Sequence, residues 1–511
     1  MKPSNELFDL IKSLTKSEKR FFKLQSALQS GDKNYVRLFD LIDKMSEYDE
    51  ETVKRTFKGE KFIKHLPSEK NHLYKLILKA LRSYYGETSV SSMLKQEIKN
   101  IEILYNKALF DECAKFLERA KKLAQKYEKF YYLFELINWE KTLLEEAFED
   151  GRFVDLDKLI DEEKVVLERL RNLAEYHVLY SKINYVFRSG GYSRTEENKK
   201  IIEDIVNHPL IKNKNTALSM RAATICYYTQ GFCNLAKGDS QTALEKFKRV
   251  KQILDEHTAI RGDLSKRYIR TLSNIITCHT DLGQYDEARQ MIALMRSLKD
   301  ETGFDHPDLE TTIFKNTGLS ELELCHFTGQ FTKGLKDVEE LTRMMTSYEG
   351  KLHKEHELEF FYQFAYIYFG SGQYSRALSW LNKVLNDNES DLRQDIYSYA
   401  RLFNLVIHYE LGNHDLLEYT IKSTTRYLQK RMRDFPIEKL IIEQFKKLIR
   451  TQSVTEKRNI LLNFRDQLTK LVVNPEDEVI MKHFDFSSWI ESKLTNESFE
   501  SIIQRGQKVL A

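Results

Sequence analysis

Apolar side chains recur every three or four positions along this chain with polar residues between them, which is the spacing of amphipathic helices. A helix is predicted over residues 5–14, and its apolar face consists of Leu7, Phe8, Ile11 and Leu14. Thr15 and Glu18 then have the spacing of a capping box, in which a hydroxyl and a carboxylate bind free amides at a helix start. Four or five helices are predicted within residues 1–92, which indicates a small bundle.

A helical hairpin with a glycine at its turn is repeated in the second half of the chain. In each copy an aromatic or polar residue follows two positions after the glycine, and a small residue follows five positions after it. The turn glycines are Gly238, Gly283, Gly329 and Gly372, with a weaker copy at Gly412. Because one hairpin cannot bury its apolar face alone, repeated hairpins are expected to stack into a solenoid.

These hairpins resemble the units of the tetratricopeptide repeat (TPR) family. The first clear copy fills the family's template positions with Tyr227, Gly231, Gly238, Ala243, Phe247 and Val250. Small residues at such positions allow two helices to approach closely. The turn glycines are 40 to 46 residues apart, against about 34 in the family, so each helix is expected to be longer by a turn or more.

Four regions are expected along the chain. They are an N-terminal helical bundle over 1–92, degenerate helical-hairpin repeats over 93–210, TPR-like repeats over 211–430 and a C-terminal helical cap over 431–511. A cap is expected because the last repeat has no following neighbour. The aromatic cluster at 484–489 could instead be a docking face for a partner. The predicted fold class is all-α, with an N-terminal helical bundle followed by a TPR-like α-solenoid and a C-terminal helical cap.

The composition favours a soluble helical protein. The 511 residues include only 6 prolines and 19 glycines, the two residue types that disfavour helix interiors. Lysine and arginine total 80 against 77 acidic residues, so the charge as a whole indicates no polyanionic partner. No apolar run reaches the length of a membrane span, and the N-terminus lacks a signal peptide. Five cysteines without paired spacing fit a reducing compartment, so we expect a cytoplasmic protein with no membrane partner.

An excess of basic residues lies in residues 54–82, where nine lysines and arginines face two glutamates. Phe57, Phe62 and Tyr74 are interleaved with them. Since basic residues neutralise phosphates and aromatic rings stack on bases, the segment could bind nucleic acid. The alternatives are an acidic protein partner and a solvated helix face whose aromatic residues belong to the core. The candidate residues are Lys54, Arg55, Lys58, Lys61, Lys64, Lys75, Lys79 and Arg82.

The TPR resemblance also assigns a binding groove, because the first helix of each hairpin lines the concave side of such arrays. The candidate groove residues are Tyr228, Phe232, Arg270, Thr277, Asn316, Glu323, Tyr362 and Tyr366. Family members that hold a terminal carboxylate have lysine and asparagine where this chain has Tyr228 and Phe232, so that clamp is missing. An aromatic groove suits an extended or helical peptide, or it is filled by the protein's own helices.

No catalytic motif is present in the sequence. His353 and His356 are three positions apart on a predicted helix, but the zinc-protease pattern His-Glu-x-x-His is missing. Neither a phosphate-binding loop, a dinucleotide fingerprint nor a nucleophile elbow occurs. We therefore predict a protein that is not an enzyme, with no catalytic residues, no metal site and no cofactor.

The layout resembles the peptide-sensing regulators of bacteria, which place a small N-terminal helical domain before a TPR array. The resemblance implies that a peptide in the groove changes what the N-terminal domain holds, although the family's binding asparagines have no counterparts at matching positions. We predict a non-enzymatic cytoplasmic scaffold or regulator that binds a protein or peptide through the solenoid. The alternative is a nucleic-acid-associated adaptor, or a transcription or translation regulator, that uses the basic N-terminal domain.

Overall fold

A computed structural model shows that every regular element in the described part of the chain is a helix. The described residues are 5–27, 34–146, 153–188, 196–305, 307–348, 350–387, 394–431, 433, 435–472 and 480–510. The chain divides into two compact units, Met1–Leu167 and Glu168–Ala511. The boundaries at 92, 210 and 430 stay predictions.

The first unit begins with helices that share one hydrophobic core. They are α1 (Glu6–Ser13), α2 (Lys16–Ala27), α3 (Asn34–Lys44), α4 (Glu50–Thr56) and α5 (Leu66–Tyr84), with a 3₁₀ turn at Lys61–His65. Phe39, Ile42 and Ile77 are fully buried in that core. The capping box forms before α2: the Thr15 N–H donates to the Glu18 carboxylate at 2.6 Å, and the Glu18 N–H donates to Thr15 Oγ1 at 3.3 Å.

Longer helices follow in the same unit. They are α6 (Val90–Asn106), α7 (Phe110–Lys126), α8 (Phe130–Glu146) and the beginning of α9 (Phe153–Arg188). Helix α7 packs against both α6 and α8. The ammonium of Lys121 joins α7 to its neighbours through ion pairs with Glu140 at 2.5 Å and Glu162 at 2.8 Å.

The second unit contains six helical hairpins after the end of α9, α10 (Glu196–Asn207) and α11 (Pro209–Lys212). The first helices of these hairpins are α12 (Met220–Ala236), α15 (Ser265–Asp281), α17 (Pro307–Thr328), α19 (Lys354–Gly370), α21 (Gln394–Glu410) and α23 (Pro436–Arg450). The second helices are α13 (Ser240–Glu256), α16 (Tyr285–Ser297), α18 (Phe331–Ser347), α20 (Tyr374–Leu385), α22 (His414–Lys430) and α24 (Val454–Leu471).

Further elements lie between hairpins and after the last one. A short helix α14 (Thr258–Asp263) precedes α15, and a 3₁₀ turn at Leu298–Asp300 follows α16. The chain ends in a helical turn at 480–483, α25 (Phe486–Thr495) and α26 (Phe499–Leu510).

The hairpins pack on one another in chain order. Within each pair the two helices are in contact, and each second helix also contacts the first helix of the next pair. First helices contact each other as well, α15 with α17, α17 with α19, α19 with α21 and α21 with α23. We call the side chains that these first helices present along this row the first-helix face.

Glycines shape both the turns within hairpins and the packing between them. The turn glycines all have positive φ angles, for example 78° at Gly238 and 76° at Gly372, a region that side chains with a Cβ rarely adopt. Gly370 serves a different purpose, since a Cβ there would lie 2.2 Å from the Phe331 ring. The missing side chain therefore lets α18 and α19 approach closely.

The composition also led to predictions about membrane spans and cysteines. Within the described residues, no helix is long and apolar enough to cross a membrane. All five cysteines are buried, and none of them forms a disulfide. Burial raises the pKa of the thiols of Cys233, Cys278 and Cys325 to about 12, so these groups are poor nucleophiles near neutral pH.

Candidate binding face on the first helices

The C-terminal segment of the chain, residues 480–507, lies on the first-helix face. The Tyr362 hydroxyl on α19 donates a hydrogen bond to the backbone carbonyl of His483 at 3.0 Å. One turn further along α19, the Tyr366 hydroxyl accepts a hydrogen bond from the Asp485 N–H at 3.4 Å. The face therefore binds backbone groups of this segment, as a peptide-binding surface does.

Aromatic contacts accompany these hydrogen bonds. Phe484 is 2% exposed, and its ring centroid lies 5.6 Å from that of Tyr366, 5.3 Å from Phe369 and 4.8 Å from Phe403. These rings come from α19 and α21, so Phe484 occupies a pocket between two first helices. Rings at such separations contribute beyond the area that they bury.

Charged and polar side chains bind the segment at further points. The Lys482 ammonium forms an ion pair with Asp281, the last residue of α15, at 2.8 Å. The Trp489 indole N–H and the Lys493 ammonium both bind the carboxylate of Glu410 at 2.7 Å. In addition, the Gln504 amide donates to the carbonyl of Gly329 at 2.8 Å. The segment therefore contacts residues of α15, α19 and α21 and the turn after α17.

Two of the candidate groove residues, Tyr362 and Tyr366, are buried beneath this segment. Burial raises the pKa of both hydroxyls well above the usual value. Their hydrogen bonds go to residues 483–485 of the same chain. On α19, therefore, the face is filled from within, which is one of the two alternatives that the sequence leaves open.

Glu323, the candidate on α17, lies among other carboxylates and is half-buried. Burial, followed by the charges of Glu359 and Asp281, raises the pKa of the Glu323 carboxyl to about 7. His326 follows on the same helix and stacks on Tyr366, with ring centroids 3.8 Å apart. Burial lowers the pKa of His326 to about 3.

A cavity of about 430 Å³ remains beneath the segment. Its walls include the rings of Phe327 and His326 and the side chains of Met481 and Asp485. Burial raises the pKa of the Asp485 carboxyl, which accepts a hydrogen bond from the Ser488 N–H at 2.9 Å. The segment therefore covers this part of the face without filling it.

The two aromatic candidates on α12 belong to a cluster of rings. Tyr228 is buried, and its ring centroid lies 5.6 Å from Tyr180 on α9, 5.5 Å from Phe247 on α13 and 5.0 Å from Phe232. Phe232 is half-buried and also packs against Phe187 at 4.8 Å. These rings hold α9, α12 and α13 together, and most of their surface is unavailable to a partner.

The remaining groove candidates lie on a more open part of the face. Arg270 and Thr277 on α15 are exposed, and Asn316 on α17 is half-buried. Sequence reasoning missed Arg267, which has helical spacing to Arg270 and lies on the same side of α15. The open strip consists of Arg267, Arg270, Asn274 and Thr277 on α15 and Asn316 on α17.

In the N-terminal unit all eight candidate basic residues of segment 54–82 are exposed. Lys54 forms ion pairs with Glu50 at 3.3 Å and Glu51 at 3.0 Å. The interleaved rings of Phe57 and Phe62 are buried in the core of this unit. The segment therefore has positive charge on its surface, while the buried rings of Phe57 and Phe62 cannot stack on a base.

One of the paired histidines contacts a carboxylate on its own helix. The Nδ1 atom of His356 lies 3.0 Å from the Glu359 carboxylate. Across the described residues, no group of three or more histidine, cysteine, aspartate or glutamate side chains could hold a metal ion.

No protein-family model matches the chain, and no curated protein matches it in sequence. The proposals below therefore rest on the residues and contacts of this chain.

Proposed function

We propose that this chain is a non-enzymatic scaffold or regulatory protein of the cytoplasm, which binds a protein or peptide partner through a TPR-like solenoid. The contacts of the C-terminal segment are the observation that carries this proposal. The first-helix face binds that segment by backbone hydrogen bonds, an aromatic pocket and ion pairs. A surface with these three kinds of contact can recognise a peptide, and its open strip is free to do so.

The solenoid interpretation is supported by the order of the helix contacts. Consecutive hairpins pack through their first helices and through second-to-first contacts, the arrangement by which stacked repeats build an extended binding surface. In this interpretation the helices after Pro436 cap the array, and their final segment folds back over part of its face.

Steric blocking of the open strip tests this function. Thr277→Trp places a large ring on α15, and Thr346→Trp is the matched control on α18, since both threonines are exposed and both hydroxyls bond to the carbonyl four residues earlier. Proteins captured by the wild-type chain in nuclease-treated lysate are identified by mass spectrometry. We expect a specific partner to be lost with Thr277→Trp and retained with Thr346→Trp. Equal capture by both variants would refute binding at this strip.

A nucleic-acid-associated adaptor is the second candidate function, and the exposure of all eight basic candidates favours it. Reversal of Lys58, Lys61 and Lys64 to glutamate should abolish binding to a labelled RNA or DNA, and wild-type affinity should fall steeply as salt rises. The matched control reverses Lys95, Lys115 and Lys122, three exposed lysines of the same unit. Binding that survives the first set, or is lost equally with the control, excludes this role for the segment.

A further inference from the structure

Two arginines of the open strip have no acidic partner among the residues that the structure describes. Arg267 is half-buried, and its guanidinium donates a hydrogen bond to Thr224 Oγ1 at 3.1 Å. Within the described part of the chain, no carboxylate lies within ion-pair distance of Arg267 or Arg270. The neighbouring Arg221, in contrast, is paired with Asp263. The fold neutralises one arginine of this group and leaves two positive charges uncompensated.

This arrangement is unfavourable unless a ligand completes it. A guanidinium that loses water needs a carboxylate or an equivalent acceptor to offset the loss. Burial, together with the charges of Arg221 and Arg270, lowers the pKa of Arg267 to about 10, so the group still carries its charge near neutral pH. Arg270 is exposed at the entrance to the same strip. A planar guanidinium offers paired donors that match the geometry of a carboxylate.

The C-terminal end of α15 has a negative charge on the side where Arg267 and Arg270 lie. Arg267, Arg270, Asn274, Thr277 and Asp281 follow one another at intervals of three and four residues, so they share one side of the helix. At 1.5 Å per residue, this row is about 21 Å long, which is the length of about six residues of extended peptide. Asp281 already binds the chain's own Lys482. The arginine end is therefore the part of the row that remains open to a second segment.

We infer that Arg267 and Arg270 bind a carboxylate of an acidic peptide segment that lies along the open strip. This inference rests on the proposed function and specifies the chemistry of its partner. Charge complementarity selects the occupant: two guanidinium groups without a carboxylate partner in the described residues favour an anion, and the exposed side chain of Thr277 extends the site along α15. The aromatic cluster around Tyr228 adjoins Arg267, whose guanidinium is half-buried.

A direct binding measurement on the full-length chain tests the inference. The probe is a fluorescein-labelled decapeptide of alternating serine and glutamate with an amidated end, and its matched control replaces every glutamate with glutamine. We expect the acidic peptide to bind and the glutamine peptide to bind at least tenfold more weakly. Arg270→Gln should weaken binding of the acidic peptide about tenfold, whereas Arg249→Gln should not, since Arg249 is exposed on the second helix α13.

A second readout separates a ligand-binding role for Arg267 from a structural one. If Arg267 binds the ligand, Arg267→Gln abolishes peptide binding. The melting temperature of the free protein is then unchanged or higher, because an uncompensated charge has been removed. A lower melting temperature together with unchanged peptide binding would show that Arg267 stabilises the fold instead, and would overturn the inference.

Two further outcomes also contradict it. Millimolar inorganic phosphate that binds as tightly as the peptide, and displaces it, would make this a site for free anions. Equal affinity of the wild type and Arg270→Gln would place the peptide elsewhere. In both cases a partner lost with Thr277→Trp would leave the proposed function standing, so the two failures can be told apart.

Discussion

The hydroxyl of Tyr362 donates a hydrogen bond to the backbone carbonyl of His483, which lies 121 positions later in the chain. In the TPR resemblance Tyr362 is a residue for partner binding, and here it binds the protein's own C-terminal segment. The same relationship recurs at Tyr366 and Asp485. Because side-chain and backbone groups meet here as they would with a bound peptide, the stability of the segment on the face can be probed one contact at a time.

Removing the Tyr362 hydroxyl should loosen the segment slightly. Tyr362→Phe keeps the ring and deletes the hydrogen bond to the His483 carbonyl, so we expect a loss of about 1 kcal/mol in the free energy of opening the segment. Hydrogen exchange at the amides of 483–490 measures this local stability. Tyr419→Phe is the control, since Tyr419 is 68% exposed. Equal exchange in the two variants would show that the hydrogen bond contributes nothing.

Deleting the Phe484 ring should have a larger effect. Phe484→Ala removes a buried ring from between α19 and α21, and such changes cost about 3–5 kcal/mol in packed cores. We expect faster exchange throughout α25 and a lower melting temperature, while α6–α8 in the first unit keep their exchange rates. The control is Val454→Ala at a side chain that is 83% exposed. A change of under about 1 kcal/mol would mean that the segment is held by its polar contacts.

The sequence predicts the hairpins because their signals are local. A positive φ angle at Gly238, Gly283 or Gly372 depends on a few neighbouring residues, and apolar spacing reports the buried side of each helix. In the turn between α6 and α7, where no glycine is present, Ala108 has the same left-handed conformation, with φ of 54°. Local signals of this kind were sufficient for helix positions and turns.

The occupant of the first-helix face could not be predicted in the same way. Its hydrogen bonds and ion pairs join residues 79 to 201 positions apart, such as Trp489 with Glu410 and Lys482 with Asp281, and no local pattern encodes such pairings. The aromatic cluster at 484–489 was visible, but it suited both a cap and a docking face. Arg267 was missed because the repeat template assigns the groove to Arg270, although the spacing of three residues places both on one side of α15.

The close approach of two helices at Gly370 gives a steric prediction. A Cβ there would overlap the Phe331 ring at 2.2 Å, so Gly370→Ala should destabilise the second unit by about 1–3 kcal/mol through overpacking. Gly506→Ala is the matched control, because this helical glycine has nothing within 4 Å of the added carbon. The control should stabilise α26 by up to about 1 kcal/mol. Melting temperatures that shift in the same direction for both variants would contradict this account.

Glu323 and His326 predict opposite dependences of stability on pH. The pKa of Glu323 is raised from 4.5 to about 7, so between these values the folded protein binds more protons than the unfolded chain and stability falls as pH rises. The pKa of His326 is lowered from 6.5 to about 3. Between those values the unfolded chain binds more protons, and stability rises with pH. From pH 4.5 to 6.5 the two contributions therefore oppose each other in the wild type.

Single variants should separate the two slopes. Glu323→Gln leaves only the His326 contribution of this pair, so stability should rise with pH more steeply than in the wild type. His326→Gln leaves only the Glu323 contribution, so the slope of stability against pH should be lower than in the wild type. Each change is at most about 1.4 kcal/mol per pH unit, and less for Glu323 because water screens a half-buried group. The measurement is the unfolding midpoint at several values between pH 4.5 and 6.5. Slopes that shift in the same direction in both variants would contradict the assignment.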